Sequence, residues 1–248
     1  MTRATAHASS WRARAARWME DEDLLLRCGI ALSVSLAALV TLVAIAHDFT
    51  HRGALTRFDV SVMITFHRDA TPGGTRVFEL VTLLGAPITV TIVGLLVAAL
   101  LLARRRSTLA AGLLATLLGG GIINEGLKYT IRRHRPPYAA AHLSHLTFSF
   151  PSGHVVGSFV GYGMLAYLVL LWIPRRGIAV LVVVATVALM LAIGISRLYL
   201  GVHYLSDVAG GYAAGACWLS ISVTVMDTWY RRSLRHRARV SAADASAS

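Results

Sequence analysis

The chain has 248 residues, 56% hydrophobic and 15% charged, whereas a soluble domain carries about 25% charged residues; the composition excludes an ordinary soluble domain and fits one small polytopic membrane domain. The net charge of +12 does not imply a nucleic-acid partner: all basic residues but Lys128 are arginine, clustered mostly beside apolar runs, with no zinc-finger spacing or aromatic-interleaved basic stripe. Cys28 and Cys217 fall in or beside apolar runs and imply no disulfide framework.

Residues 1–27 form a basic N-terminal segment, expected to be cytoplasmic. The apolar run at 28–46 ends in a small-x-small pair, Ala44 and Ala46, but exceeds the usual 7–15 residues of a signal peptide core and reads as a retained signal anchor. Residues 48–77 are too polar to span and predict an amphipathic interfacial segment closed by a Pro72-Gly73-Gly74 turn. Five further runs near 78–102, 108–129, 154–173, 178–196 and 208–227 meet the requirement of about 20 apolar residues per crossing. Residues 228–248 read as a basic cytoplasmic tail whose end, SAADASAS, is low in complexity and expected to be disordered. No internal repeat is apparent. The fold class is therefore all-α, a six-span transmembrane helical bundle over 28–227.

Arginine orients it. With the N-terminus inside, 15 of the 24 basic residues fall on the cytoplasmic side, which the positive-inside rule favours. Lys128, Arg132, Arg133, Arg135 and Arg197 are exceptions beside the outer ends of spans 3 and 5.

Three polar clusters share that outer side. In KYTIRRHRP, leaving span 3, Lys128 and Arg135 are seven steps apart, which on a continued helix puts them about 20° apart on one face, with Arg132 nearby and Pro136 disfavouring helix at Arg135. PSGH opens span 4: Ser152 is a good N-cap, Gly153 permits close approach, and the free N–H groups of a helix start bind anions. SRLYLGVHYLSD joins spans 5 and 6 and contains Arg197 with His203 and Asp207 at i, i+4, where an aspartate can fix the tautomer of an attacking imidazole. Singly, these clusters are also explained by a membrane-flanking basic patch, an ordinary capped helix and interfacial capping.

Jointly they assemble three cations, a helix start and two histidines. Such a set suits the equatorial oxygens of a transferring phosphoryl group, a nucleophile and a leaving-group acid. Neither the carboxylates expected for Mg²⁺ nor zinc spacing is present, so no metal or other cofactor is expected.

The pattern resembles the type 2 phosphatidic acid phosphatase superfamily, whose signature reads K-x6-R-P, P-S-G-H and S-R-x5-H-x3-D. Here these are Lys128 with Arg135-Pro136, Pro151 to His154, and Ser196-Arg197, His203 and Asp207. The resemblance implies that His203 is phosphorylated, Asp207 orients it and His154 protonates the leaving alkoxide. Lys128, Arg135, Ser152, the Gly153 amide and Arg197 would bind phosphoryl oxygens. It implies a lipid phosphate as substrate, cleaved at the extracytoplasmic face of the bilayer; vanadium haloperoxidases and soluble acid phosphatases of the superfamily fit six spans poorly. An anion channel or transporter is the alternative, although it would place charges nearer mid-span. Of the remaining residues, Arg132 and Arg133 are expected to meet lipid headgroups, and Glu125 is placed to pair with Lys128 or to face interfacial water. Gly157, Gly161, Gly211 and Gly215 are placed to bring spans 4 and 6 together.

Overall fold

The computed structural model describes the backbone of residues 3–51, 53–141 and 148–247, and side chains chiefly over 28–49, 53–139 and 148–233. The described residues are helical, with no strand among them: α1 (Arg3–Thr50), α2 (Ala54–Arg68), α3 (Pro72–Gly85), α4 (Pro87–Ala103), α5 (Ser107–Ile131), a 3₁₀ turn at Pro137–Ala141, α6 (Gly153–Leu170), α7 (Arg176–Tyr199) and α8 (Leu205–Ala247).

Five helices are long and apolar enough to cross a membrane, and α3 with α4 makes a sixth crossing bent by 43°. The six-span bundle is thus present, with a broken second span. Pro87 is the cause: it removes a helical N–H and holds Ala86 extended (φ −61°, ψ 134°), so α3 stops and α4 restarts with proline in its first turn.

Two other elements differ from expectation. Pro72-Gly73-Gly74 starts α3 instead of closing a turn, because Thr71 caps the helix through the Gly74 N–H (3.1 Å) and Pro72 occupies the first turn, where no N–H is needed. The backbone beyond residue 227 stays helical to Ala247 instead of disordering; alanine and arginine are strong helix formers and extend a helix already nucleated within the bundle.

Leu109, Leu113, Met164 and Met226 make the main core of α5, α6 and α8, joined by Ala98 and Leu101 of α4. Smaller clusters around Val155, Leu198 and Val208, and around Val156, Val160 and Ala214, lie beneath the PSGH segment. Leucine, isoleucine and valine side chains cover much of the outer surface, as lipid requires. Close approach of α6 and α8 depends on α8: a Cβ at Gly211 would lie 2.9 Å from Val155 Cβ and 3.2 Å from the Ser152 carbonyl, and one at Gly215 2.8 Å from Phe159 Cβ. Gly157 and Gly161 do not face α8; Gly161 faces Val90 and Leu117, and a Cβ at Gly157 would meet nothing within 4 Å.

Candidate active site

The segment from Arg197 to Asp207 is shaped by a helix stop and a helix start. α7 ends in a Schellman motif: Val202 N–H donates to the Arg197 carbonyl at 3.2 Å and Gly201 N–H to that of Leu198 at 2.9 Å. The required left-handed residue is Gly201 (φ 64°). Two residues later stands His203, 2% exposed. α8 then starts at Leu205, and Asp207 at its third position reaches back to accept the Tyr204 N–H at 2.9 Å, half of a capping box. His203 and Asp207 therefore meet across a helix start and not along a helix face.

His203 Nδ1 lies 3.4 Å from Asp207 Oδ2, and the Ser149 hydroxyl reaches both, donating to the same carboxylate oxygen. The other ring nitrogen, Nε2, is 3.2 Å from Arg135 Nη1. A guanidinium only donates, so Nε2 carries the lone pair and Nδ1 the proton. Burial, partly opposed by Asp207 and reinforced by Arg197 and Arg135, pushes the His203 pKa down to about 4.

The chain enters α6 through a cis Phe150–Pro151 bond. Ser152 occupies the N-cap but its hydroxyl does not cap: Oγ is buried without a partner, while its N–H donates to the Asp207 carbonyl at 3.1 Å. Among the described residues, the Gly153 and His154 amides donate to no backbone carbonyl. A side chain at Gly153 would stand 3.5 Å from Lys128 Nζ, so the lysine lies against the helix start. Lys128 is held there by Glu125 at 3.3 Å, the pairing the spacing suggested. Arg197, 4% exposed, donates to Thr82 Oγ1 of α3 at 2.6 Å and keeps a buried, unpartnered Nε. His154 is within electrostatic reach of Arg197, His203, Arg135 and Lys128. All the predicted site residues thus converge. Ser196, the remaining motif position, turns away, donating to the Ile193 carbonyl at 2.6 Å.

Two readings need correction. Lys128 and Arg135 do not share a helical face: α5 stops at Ile131, Arg132 adopts the left-handed conformation (φ 50°), and the chain then leaves the helix ahead of Pro136-Pro137. Both cations come within electrostatic reach of His154 because the chain after α5 turns back towards the α7–α8 junction, where Arg135 Nη1 also donates to the Val202 carbonyl at 3.1 Å. Arg133 does not face headgroups. It is 3% exposed and bridges Asp207 Oδ1 and Asp59 Oδ2, each at 2.7 Å. Burial would lower its pKa, but the two carboxylates outweigh this and raise it. Asp59, Ser149, Ser206 and Thr82 were not singled out in the sequence. Only Arg133, beside the motif, and Asp59, a carboxylate in an otherwise apolar stretch of α2, carried any signal.

Among the described residues no three His, Cys, Asp or Glu side chains are grouped to hold a metal ion. A groove of about 720 Å³ runs from Gly153, Asn124 and Glu125 along Gly157 and Val160 to Leu95, Leu114 and Leu118, between α4, α5 and α6. One end is polar and beside Lys128; the rest is hydrocarbon. The site can place an anion among three cations and helix-start amides, with a neutral imidazole beside it.

The PAP2 superfamily matches residues 109–231. Phosphatidylglycerophosphatase B of Bacillus subtilis is 37% identical over 109 residues, 42% of this chain and 52% of that protein. A lipid A 1-phosphatase of Rhizobium johnstonii is 33% identical over 131 residues, 48% of each. The chain spans about half the length of these curated relatives. The crystal structure of a transmembrane PAP2-type phosphatidylglycerolphosphate phosphatase from Bacillus subtilis is similar with a TM-score of 0.70 at 26% identity, covering 80% of this chain and 96% of that one.

Proposed function

Because the chain belongs to the PAP2 superfamily, we propose that it is a multi-pass membrane lipid phosphatase, hydrolysing a phosphomonoester or diphosphate such as phosphatidic acid, phosphatidylglycerophosphate or a polyprenyl diphosphate. The observation that carries this reading is the join between the cationic site and the apolar groove: Gly153 and Glu125 line the groove and flank Lys128, so a phosphate held at the helix start would leave its hydrocarbon tail between α4, α5 and α6.

In this reading His203 Nε2 attacks phosphorus as the guanidinium of Arg135 turns from that nitrogen to a phosphoryl oxygen. The P–O bond to the lipid breaks, and His154 gives its proton to the departing alkoxide. The Nδ1 proton stays on the ring, and Asp207 stabilises the resulting phosphoimidazolium. His154, now neutral, takes a proton from water, whose oxygen attacks the phosphohistidine and releases inorganic phosphate. Lys128, Arg135, Arg197, Ser152 Oγ and the Gly153 amide balance the charge on the equatorial oxygens. Three fixed cations do what Mg²⁺ does elsewhere, so turnover is independent of added metal. The arginine distribution supports cytoplasmic termini and an extracytoplasmic site in the cell membrane.

The test is phosphate release by detergent-purified protein from a panel of lipid monophosphates and diphosphates, with and without EDTA. Release from at least one lipid, unchanged by EDTA, is expected. Loss on chelation with recovery on Mg²⁺ would overturn the metal-free mechanism, and no release from any lipid, with phosphate flux in liposomes, would favour a channel. A reporter after Arg239 should read cytoplasmic and one within 139–147, of which 142–147 lie outside the described residues, extracytoplasmic.

A further inference from the structure

We propose that Asp59 and Arg133 are positioning residues that fix the carboxylate of Asp207 and set its effective charge towards His203, making helix α2 a working part of the catalytic apparatus. The proposal rests on His203 being the nucleophile.

The three charged groups come from separate elements: Asp59 from α2, Arg133 from the segment after α5, Asp207 from the first turn of α8. They are 1%, 3% and 0% exposed. The guanidinium uses one edge for each carboxylate, Nη1 to Asp207 Oδ1 and Nη2 to Asp59 Oδ2, both at 2.7 Å. Ser206 closes the ring by accepting from Nη1 at 2.6 Å and donating its N–H to Asp59 Oδ1 at 2.8 Å and its hydroxyl to Oδ2. Phe49 and Tyr204 hold the guanidinium carbon 5.0 Å and 4.3 Å from their ring centres. The arginine is held at both edges and faced by two rings, with only 3% of it exposed.

This division of labour fixes the rotation of Asp207. Arg133 takes Oδ1, leaving Oδ2 to Tyr204 N–H, Ser149 and His203 Nδ1. It also fixes charge. Arg133 paired with Asp207 alone would be neutral and would cancel the attraction of Asp207 for the positive charge that grows on the imidazole during attack. Asp59 returns one negative charge, so the cluster presents a net −1 to His203. From the other elements His203 faces cations or a histidine: Arg135, Arg197 and His154. The net −1 is therefore the counterweight that keeps the ring a usable nucleophile. Asp59 lies upstream of residues 109–231, so the clamp joins an element outside the matched segment to the reaction centre.

The experiment compares Asp59→Asn, Arg133→Gln and the double variant in detergent, following the His203 ring by NMR of isotope-labelled histidine and, in parallel, the pH dependence of kcat and KM. Asp59→Asn leaves Arg133 uncompensated, so His203 should titrate about one pH unit lower; Arg133→Gln leaves two carboxylates facing each other, and His203 should titrate about one unit higher. Asp59→Asn should lower kcat by up to about tenfold, the equivalent of one unit, because the ring loses its counter-charge; Arg133→Gln should lower kcat because Asp207 Oδ1 loses the donor that fixes its rotation, with KM little changed in either. The double variant restores the net charge and should return the titration close to wild type. Single variants that move it in the same direction, or not at all, overturn the proposal, as does a double variant whose shift is not cancelled. If Arg133→Gln does not fold, Asp59→Asn decides by its shift, and Arg133→Lys should lower kcat with the titration unmoved. The NMR titration needs no turnover, so an inactive wild type would refute the phosphatase reading while the shifts still judge the clamp.

Discussion

Replacing Arg197 with lysine asks whether this residue acts as a geometric fork or only as a charge. Its guanidinium is buried, tied to Thr82 Oγ1 through Nη1 at 2.6 Å, and keeps Nε without a protein partner. A lysine retains the charge, but one ammonium nitrogen cannot hold the Thr82 hydroxyl and also present a second fixed donor to a phosphoryl oxygen. A hydrogen bond to a charged group is worth about 1.5–3 kcal/mol. At 1.36 kcal/mol per decade that predicts a loss of about 10- to 150-fold in kcat/KM. Charge on the equatorial oxygens is redistributed most in the transition state, so the loss should fall on kcat more than on KM. The assay is initial-rate phosphate release from a lipid monophosphate in mixed micelles, with unfolding followed separately to confirm that Arg197→Lys is folded. Thr82→Val is the companion: it removes the anchor but not the fork, and should cost about 1 kcal/mol, or about fivefold. Wild-type kcat/KM in Arg197→Lys, or a larger loss in Thr82→Val, would refute the reasoning.

The two histidines should separate by step. His203→Ala should abolish a trapped phosphoenzyme, whereas His154→Ala should slow its formation by roughly 10²- to 10⁴-fold, least for aryl phosphates, whose leaving groups need no proton; a phosphohistidine mapped to His154 would reverse the roles. The pH–rate profile should have an unusually low acid limb. In the proposed mechanism the attacking form of His203 is neutral, and its pKa is pushed down to about 4, so activity should be lost as pH falls through about 4, not through the ordinary value near 6.5. Gly211→Val should destabilise the α6–α8 contact by about 1–3 kcal/mol, since even a Cβ there lies 2.9 Å from Val155 and 3.2 Å from the Ser152 carbonyl; a thermal-shift assay in detergent should show a lower Tm.

The sequence by itself determined the fold class, and it named the side chains that the fold brings together at the candidate site. Lipid imposes long apolar runs on any crossing helix, which makes spans readable without tertiary information. The spacings around Ser152, Arg197 and His203 reflect local chemistry: the opening turn of α6, and a Schellman stop and half of a capping box within eleven residues at the α7–α8 junction. The tertiary structure decided what depends on partners far along the chain. Extrapolating helix periodicity beyond Ile131 failed because Pro136 and the left-handed Arg132 end the helix, so Arg135 reaches the site by a route no period describes. Arg133 looked like a headgroup contact because its partners stand 74 residues away on either side, at Asp59 and Asp207. A charge beside a membrane helix is equally at home in water, at a headgroup or in a buried pair; only the desolvated carboxylates waiting for it tell these apart.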